Sequence, residues 1–266
     1  MHTSQHLPVA IVTIIAAAIS MGCGDDEQSR TTATAPVSKA TPTASPQPTT
    51  VAPATDPPTS AMPPPAGGEL LFSDELADDT NRWGVVDDAQ FGTATFEGGD
   101  YVWDFRGSIA HWLPGVLIEQ YDAGELDMLN VQVSAELSIV SGGGVAGVFC
   151  RENPDSDAEW QWYEFVVRDG YAAIRQSDLE GNITALVESN DVELPLGAPI
   201  TIDGTCRNDD TGAVQLSMVV NGNSLLEATV SENPLTNGAP GMSAWTFPLH
   251  EPMDIVWHSF SVRSVT

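Results

Sequence analysis

Between Val131 and Ile139 the chain alternates strictly. Val131, Val133, Ala135, Leu137 and Ile139 are separated by Gln132, Ser134, Glu136 and Ser138. A period of two puts one set on each face of an extended backbone, so this stretch predicts a half-buried β-strand. Ile200 and Ile202 alternate with Thr201 and Asp203, and the same parity carries Cys206 to the apolar side. Val214, Leu216, Met218 and Val220 repeat the pattern against Gln215 and Ser217. Asn221-Gly222 follows, a pair that tolerates the positive φ angles of a tight hairpin, and "SLLEATV" returns as the partner strand. Asp169-Gly170 joins "WYEFVV" to "YAAIRQ" in the same way, and Gly181-Asn182 and Asn237-Gly238 mark further turns. No segment sustains a 3.6-residue period between helix caps. Many short strands with turn signals between them predict an all-β jelly-roll sandwich of two antiparallel sheets.

The amino end follows different rules. Leu7 to Met21 is almost wholly apolar, of signal-peptide length and short for a membrane span. It ends on Ser20-Met21-Gly22-Cys23, which resembles the lipobox of bacterial lipoproteins, with Ser20 where that family prefers Leu and no Lys or Arg ahead of the apolar run. The resemblance implies a signal peptide over residues 1–22 and a lipid on Cys23; an ordinary signal peptide with a chance cysteine is the alternative. Residues 23–68 are rich in Thr, Ala, Pro and Ser, too polar to bury a core, and read as a disordered tether. Its reach lies between roughly 40 Å as a coil and about 140 Å as extended polyproline II. Residues 69–266 are then one globular β domain. The expected location is the extracytoplasmic side of the cell envelope, with the membrane as partner through the lipid anchor.

Charge narrows the function classes. The 266 residues carry 37 acids against 9 bases, a formal net charge of −28. All but four of the acids and two of the bases lie in the β domain, whose bases are all arginine. Nucleic acids and anionic lipid surfaces are therefore excluded as partners of the folded part. With Cys23 assigned to lipid, Cys150 and Cys206 remain, an even pair in an exported protein. Neither has a Cys or His at metal-ligand spacing, and no histidine sits in a nucleophile's setting, so the pair reads as a disulfide.

The order "GGGVAGVFCRE…WYEFVVRDGYAAI…ITIDGTCRND…VQLSMVVNGNSLLEATV…NGAPGMSA…HSFSV" resembles the concanavalin A-like lectin/glucanase superfamily. It is similar in particular to laminin-G-like and 3-keto-disaccharide-hydrolase-like modules. The matching positions are Tyr163, Phe165, Gly170, Tyr171, Asn221, Gly222, Gly238, Gly241, Phe260 and Val262, and the opening "LLFSDELADDTNRWGV" is similar to the first strand and loop of that group. The resemblance implies a fold that hosts binding modules, enzymes and inert spacers alike.

Three stretches offer chemistry. Glu125-Leu126-Asp127 resembles the Glu-x-Asp of laminarinase-type glucanases, but Asn130 and Val131 stand where a further carboxylate is required, so no catalytic residue is assigned. In "EWQWYEF", if Tyr163, Phe165 and Val167 face the core, Trp160, Trp162 and Glu164 face away. They form either an aromatic platform for sugar rings or a second hydrophobic layer. Asp155, Asp157 and Glu159 make a hard-cation patch suited to calcium, yet lack the glycine and ligand count of a calcium loop; no cofactor is expected. Arg151 and Arg207, each next to a bridging cysteine, are expected to pair with nearby carboxylates. No Ser-His-Asp arrangement, nucleotide-binding glycine loop or His-rich cluster is legible. The expected function is a surface-tethered, non-catalytic binding module with an extracellular glycan as ligand. A glycoside-acting hydrolase of the 3-keto-disaccharide type and a structural or adhesion spacer are the alternatives.

Overall fold

The computed structural model describes residues 68–89, 92–106, 111–112, 128–153, 161–178, 182–246 and 252–266. These form strands β1 (Leu70–Asp74), β2 (Val86–Asp88), β3 (Gly92–Glu97), β4 (Asp100–Phe105), β5 (His111–Trp112), β6 (Val131–Ser141), β7 (Val145–Asn153) and β8 (Gln161–Arg168). The series continues with β9 (Tyr171–Ser177), β10 (Ile183–Ser189), β11 (Ile200–Asn208), β12 (Val214–Val220), β13 (Asn223–Val230), β14 (Ala239–Trp245) and β15 (Met253–Ser264). Among the described residues there is no α-helix, only a single 3-10 turn at Asp79–Asn81.

The strands make two antiparallel sheets. The larger runs β13-β12-β11-β6-β15-β4-β3-β2, with β1 added to β15 beyond the end of β4; the smaller runs β10-β9-β8-β7-β14-β5. Register follows the alternation read from the sequence. Ile202 lies opposite Ala135 on β6 and Val220 on β12, so apolar residues stack in rows on one face. Those rows meet Val148, Tyr163, Phe165, Val167 and Ile174 of the small sheet, all fully buried. Trp103 and Trp257 close the other end of the core with ring centroids 4.9 Å apart.

Gly204 interrupts the apolar series Ile200, Ile202, Cys206 for a packing reason. A Cβ at that position would run into the Phe165 ring, which reaches across from the opposite sheet. The hairpin at Asn221-Gly222 holds both residues at positive φ, 51° and 75°, the geometry that matches strand twist. The Asn221 side chain also accepts the Thr201 N–H at 2.9 Å, fastening the turn to β11.

Cys150 on β7 and Cys206 on β11 form a disulfide with Cα atoms 6.7 Å apart. The two strands belong to different sheets, so the bridge passes through the core and clamps the sandwich. At the domain's start, Asp74 accepts hydrogen bonds from Leu76 N (2.8 Å), Asn81 Nδ2 (2.8 Å) and Trp83 Nε1 (2.6 Å). One carboxylate thereby fixes the whole 75–83 connection and aims Trp83 at Phe260, with centroids 5.2 Å apart.

Candidate functional site on the outward face of the small sheet

Strand β8 sends Tyr163, Phe165 and Val167 into the core, and the intervening residues point away from it. Pairing continues the outward rows across the sheet: Phe149, Glu164 and Arg175 lie side by side on β7, β8 and β9, and Gly147, Val166 and Ala173 form the next row. Val145, Val166 and Ala173 make a small apolar floor of their own, with Tyr171 and Trp245 packed on it as partly exposed aromatics.

A charged network sits beside that floor. Glu164 is fully buried. One of its oxygens accepts from Arg175 Nε at 3.1 Å and Nη2 at 2.6 Å, and the other accepts from Trp245 Nε1 at 2.6 Å. The Arg175 guanidinium also lies over the Trp245 ring, 5.7 Å from its centroid. Trp245 in turn stacks on Trp162 at 6.2 Å with an interplanar angle of 23°. On the open side, Arg168 stands over the Tyr171 ring at 5.3 Å, and the Tyr171 hydroxyl donates to Glu188 at 3.3 Å. Burying an ion pair costs several kcal/mol per ion unless partners replace the water. Here the guanidinium and the indole N–H supply them, which fixes Trp245 in one orientation.

A second acid shares this face. Ala239 pairs with Glu152 and Gly241 with Phe149, so β7 carries one extra residue between its two outward positions. The bulge contains Arg151, a non-glycine residue at φ 58°. The kink turns Arg151 inward and leaves Glu152 on the outer face. Glu152 is 1% exposed, and its Oε1 has no hydrogen-bond partner. Burial pushes its carboxyl up to about 8, so it is protonated at neutral pH. Arg151 corrects the expectation of a carboxylate partner: its guanidinium donates to backbone carbonyls, Leu235 at 2.6 Å and also Leu129. Burial lowers its pKa, and the neighbouring Tyr163 hydroxyl is itself pushed up by burial.

Of the residues singled out in the sequence, Trp162 and Glu164 lie on the face that alternation assigns them. Trp162 is 5% exposed and stacked beneath Trp245, and Glu164 is engaged by Arg175. The aromatic surface that solvent reaches is instead Trp245 and Tyr171. Trp245 sits on β14, far along the chain, and only strand pairing brings it here. The available signal was the concentration of Arg168 and Arg175 on one hairpin of a domain otherwise poor in bases. Asn130 accepts the Asn208 N–H at 2.7 Å, a structural role in the β11 edge. Cys23, Glu125, Asp127, Asp155, Asp157, Glu159 and Trp160 lie outside the described residues. Among the described residues no group of three or more His, Cys, Asp or Glu could hold a metal ion.

No protein-family model and no curated protein sequence matches the chain. Solved structures do. A Bacillus subtilis protein of unknown function with a galectin-like fold aligns with a TM-score of 0.57 at 13% identity, covering 76% of this chain and 99% of that one. SCLam, a non-specific endo-beta-1,3(4)-glucanase of family GH16, aligns with a TM-score of 0.51 at 10% identity, covering 76% and 93%. A weaker likeness, TM-score 0.41 at 10% identity, is to the carbohydrate-binding module CBM66 of Bacillus subtilis, over 68% and 91%. The first two show the fold, a galectin-like β-sandwich, in agreement with the all-β sandwich that the alternation predicts and the concanavalin A-like fold that the resemblance implies.

Proposed function

We propose that the chain is an exported, lipid-tethered carbohydrate-binding protein whose ligand lies against the outward face of the small sheet. The observation that carries this reading is the Glu164–Arg175–Trp245 network, which holds a partly exposed indole rigidly beside Tyr171 over an apolar floor. Sugar rings present an apolar C–H face to aromatics and hydroxyls to charged groups, and Arg168, Arg175 and Glu188 border the two rings. The tether after Cys23 would hold this face tens of Å from the membrane, and the acidic surface would keep it off anionic lipid. The test is a glycan array probed with a soluble Cys23→Ala form. Bound glycans should be lost, by tenfold or more, in Tyr171→Ala, with its melting curve showing that the domain stays folded; an array with no bound glycan overturns the reading.

A further inference from the structure

The opposite surface of the molecule, the outward face of the large sheet, holds a constellation that the sequence does not reveal. Ser138 on β6, His258 on β15 and Asp100 at the start of β4 are 120 and 158 residues apart along the chain. Adjacent strands bring them into line. The Ser138 hydroxyl is 2.9 Å from His258 Nε2, and His258 Nδ1 is 2.8 Å from Asp100 Oδ1. Hydrogen bonding of Nδ1–H to a carboxylate leaves Nε2 with its lone pair toward the hydroxyl, the tautomer that a general base requires. The alignment has a local cause. Between Trp257 and Ser259 the pairing of β15 with β6 slips by one residue, and His258 is the residue at that bulge. Trp257 and Phe260 both stay in the core, so the extra residue is pushed outward over Ser138. Two glycines at positive φ, Gly98 and Gly99, turn the chain from β3 into β4 and put Asp100 at the near edge of the imidazole.

The surroundings supply a place for an acyl group. Val256 is directly opposite Ser138 and Val102 directly opposite Val256, an apolar row on the outward face. Val140, two residues along β6 on the same face, and Leu196 are among the few exposed large hydrophobic side chains of the described residues. The loop carrying Leu196 is fastened there by Gly197 N–H donating to Ile139 O at 2.8 Å. Ser138 itself is only 5% exposed, less than the His258 and Asp100 side chains at 25% and 35%.

We infer that Ser138, His258 and Asp100 form a nucleophilic triad that takes an acyl group from esters with an apolar acyl chain and a good leaving group. Ser138 Oγ attacks the ester carbonyl while its proton passes to His258 Nε2. The carbonyl–alkoxide bond then breaks, and the imidazolium returns that proton to the departing oxygen, leaving an acyl-serine. Water, deprotonated by the same nitrogen, attacks the acyl-serine; the carboxylic acid leaves and the proton returns to Ser138 Oγ. The sum is ester plus water giving acid plus alcohol. Asp100 holds the imidazole's orientation and stabilises its charged form. A leaving group that is a weak base, such as a phenolate or an enolate, parts most readily from the tetrahedral intermediate.

The test uses the full chain with two probes, an alkyl fluorophosphonate and p-nitrophenyl butyrate, and reads the site of modification by peptide mass spectrometry. The expected result is one phosphonyl adduct, on the peptide containing Ser138. Ser134 and Ser141, bound to Asp203 and Asp254 on the same face, should remain unmodified. Labelling and p-nitrophenolate release should fall by a hundredfold or more in His258→Gln and Asp100→Asn, and vanish in Ser138→Ala. Melting curves of the variants establish that each is folded, and a variant that does not fold is replaced by His258→Asn or Asp100→Ser. A folded chain that forms no adduct on Ser138 overturns the proposal. So does an adduct whose rate is unchanged without His258, since the hydrogen bonds would then be structural only.

Discussion

Replacing Glu152 by Gln should stabilise the domain relative to the parent by an amount that grows as pH rises. Glu152 is buried with an unpartnered oxygen, and burial moves its carboxyl from 4.5 to about 8. The folded state therefore keeps a proton that the unfolded state releases above its ordinary value. Stability is highest below about 4.5 and is lost as pH rises toward the folded value, at about 1.4 kcal/mol per pH unit. Between pH 5 and pH 8 the accumulated loss is roughly 4 kcal/mol from this group alone. Gln carries no proton to lose. It introduces an amide with incomplete hydrogen bonding, at a cost of about 1–3 kcal/mol that does not vary with pH. The quantity to measure is thus the difference in melting temperature, variant minus parent, at pH 5 and again at pH 8. The other carboxylates titrate alike in both chains and cancel. At about 2–4 °C per kcal/mol for a domain of this size, that difference should grow by on the order of 10 °C. A difference that stays constant between the two pH values would show that Glu152 is solvated or paired, and the reasoning from its burial would be refuted.

Removing the bridge with Cys150→Ser and Cys206→Ser frees a loop of 56 residues in the unfolded chain; the loss should be about 4 kcal/mol, checked by urea unfolding of oxidised parent against variant. Glu164→Gln leaves Arg175 buried without its counter-charge and should cost about 3–5 kcal/mol, whereas the paired change Glu164→Gln with Arg175→Met should recover most of it in the same unfolding assay. Gly204→Ala forces a Cβ against the Phe165 ring and should lower stability by about 1–3 kcal/mol, partly restored by Phe165→Leu.

The elements read most clearly from the sequence were those with one wet and one dry face. The alternation along β6, β11 and β12 and the Asn221-Gly222 turn determined strand, facing and register, because a one-residue slip would have exchanged the two faces. The disulfide followed from counting cysteines in a chain that reads as exported, and the structure adds what counting could not, that it joins the two sheets. Strands β2, β3 and β4 escaped because β2 and β3 are short and mostly polar and β4 sets its aromatic residues among acids and Val102. The small sheet's second face was misleading in a different way. Its outward positions are buried too, so β8 and β9 read as nearly continuous apolar runs and give no sign of which side chains a solvent-borne ligand could reach.

By itself, then, the chain's pattern determined an acidic, all-β sandwich after an apolar run and a proline-rich stretch, because burial of alternating side chains is a local property. Which residues work together is a non-local one. Trp245 meets Glu164 only because β14 pairs with β7, and Ser138 meets His258 and Asp100 only because β6, β15 and β4 are neighbours in the large sheet. Strand order and a single-residue bulge are set by the packing of the whole core, and no short segment carries that information.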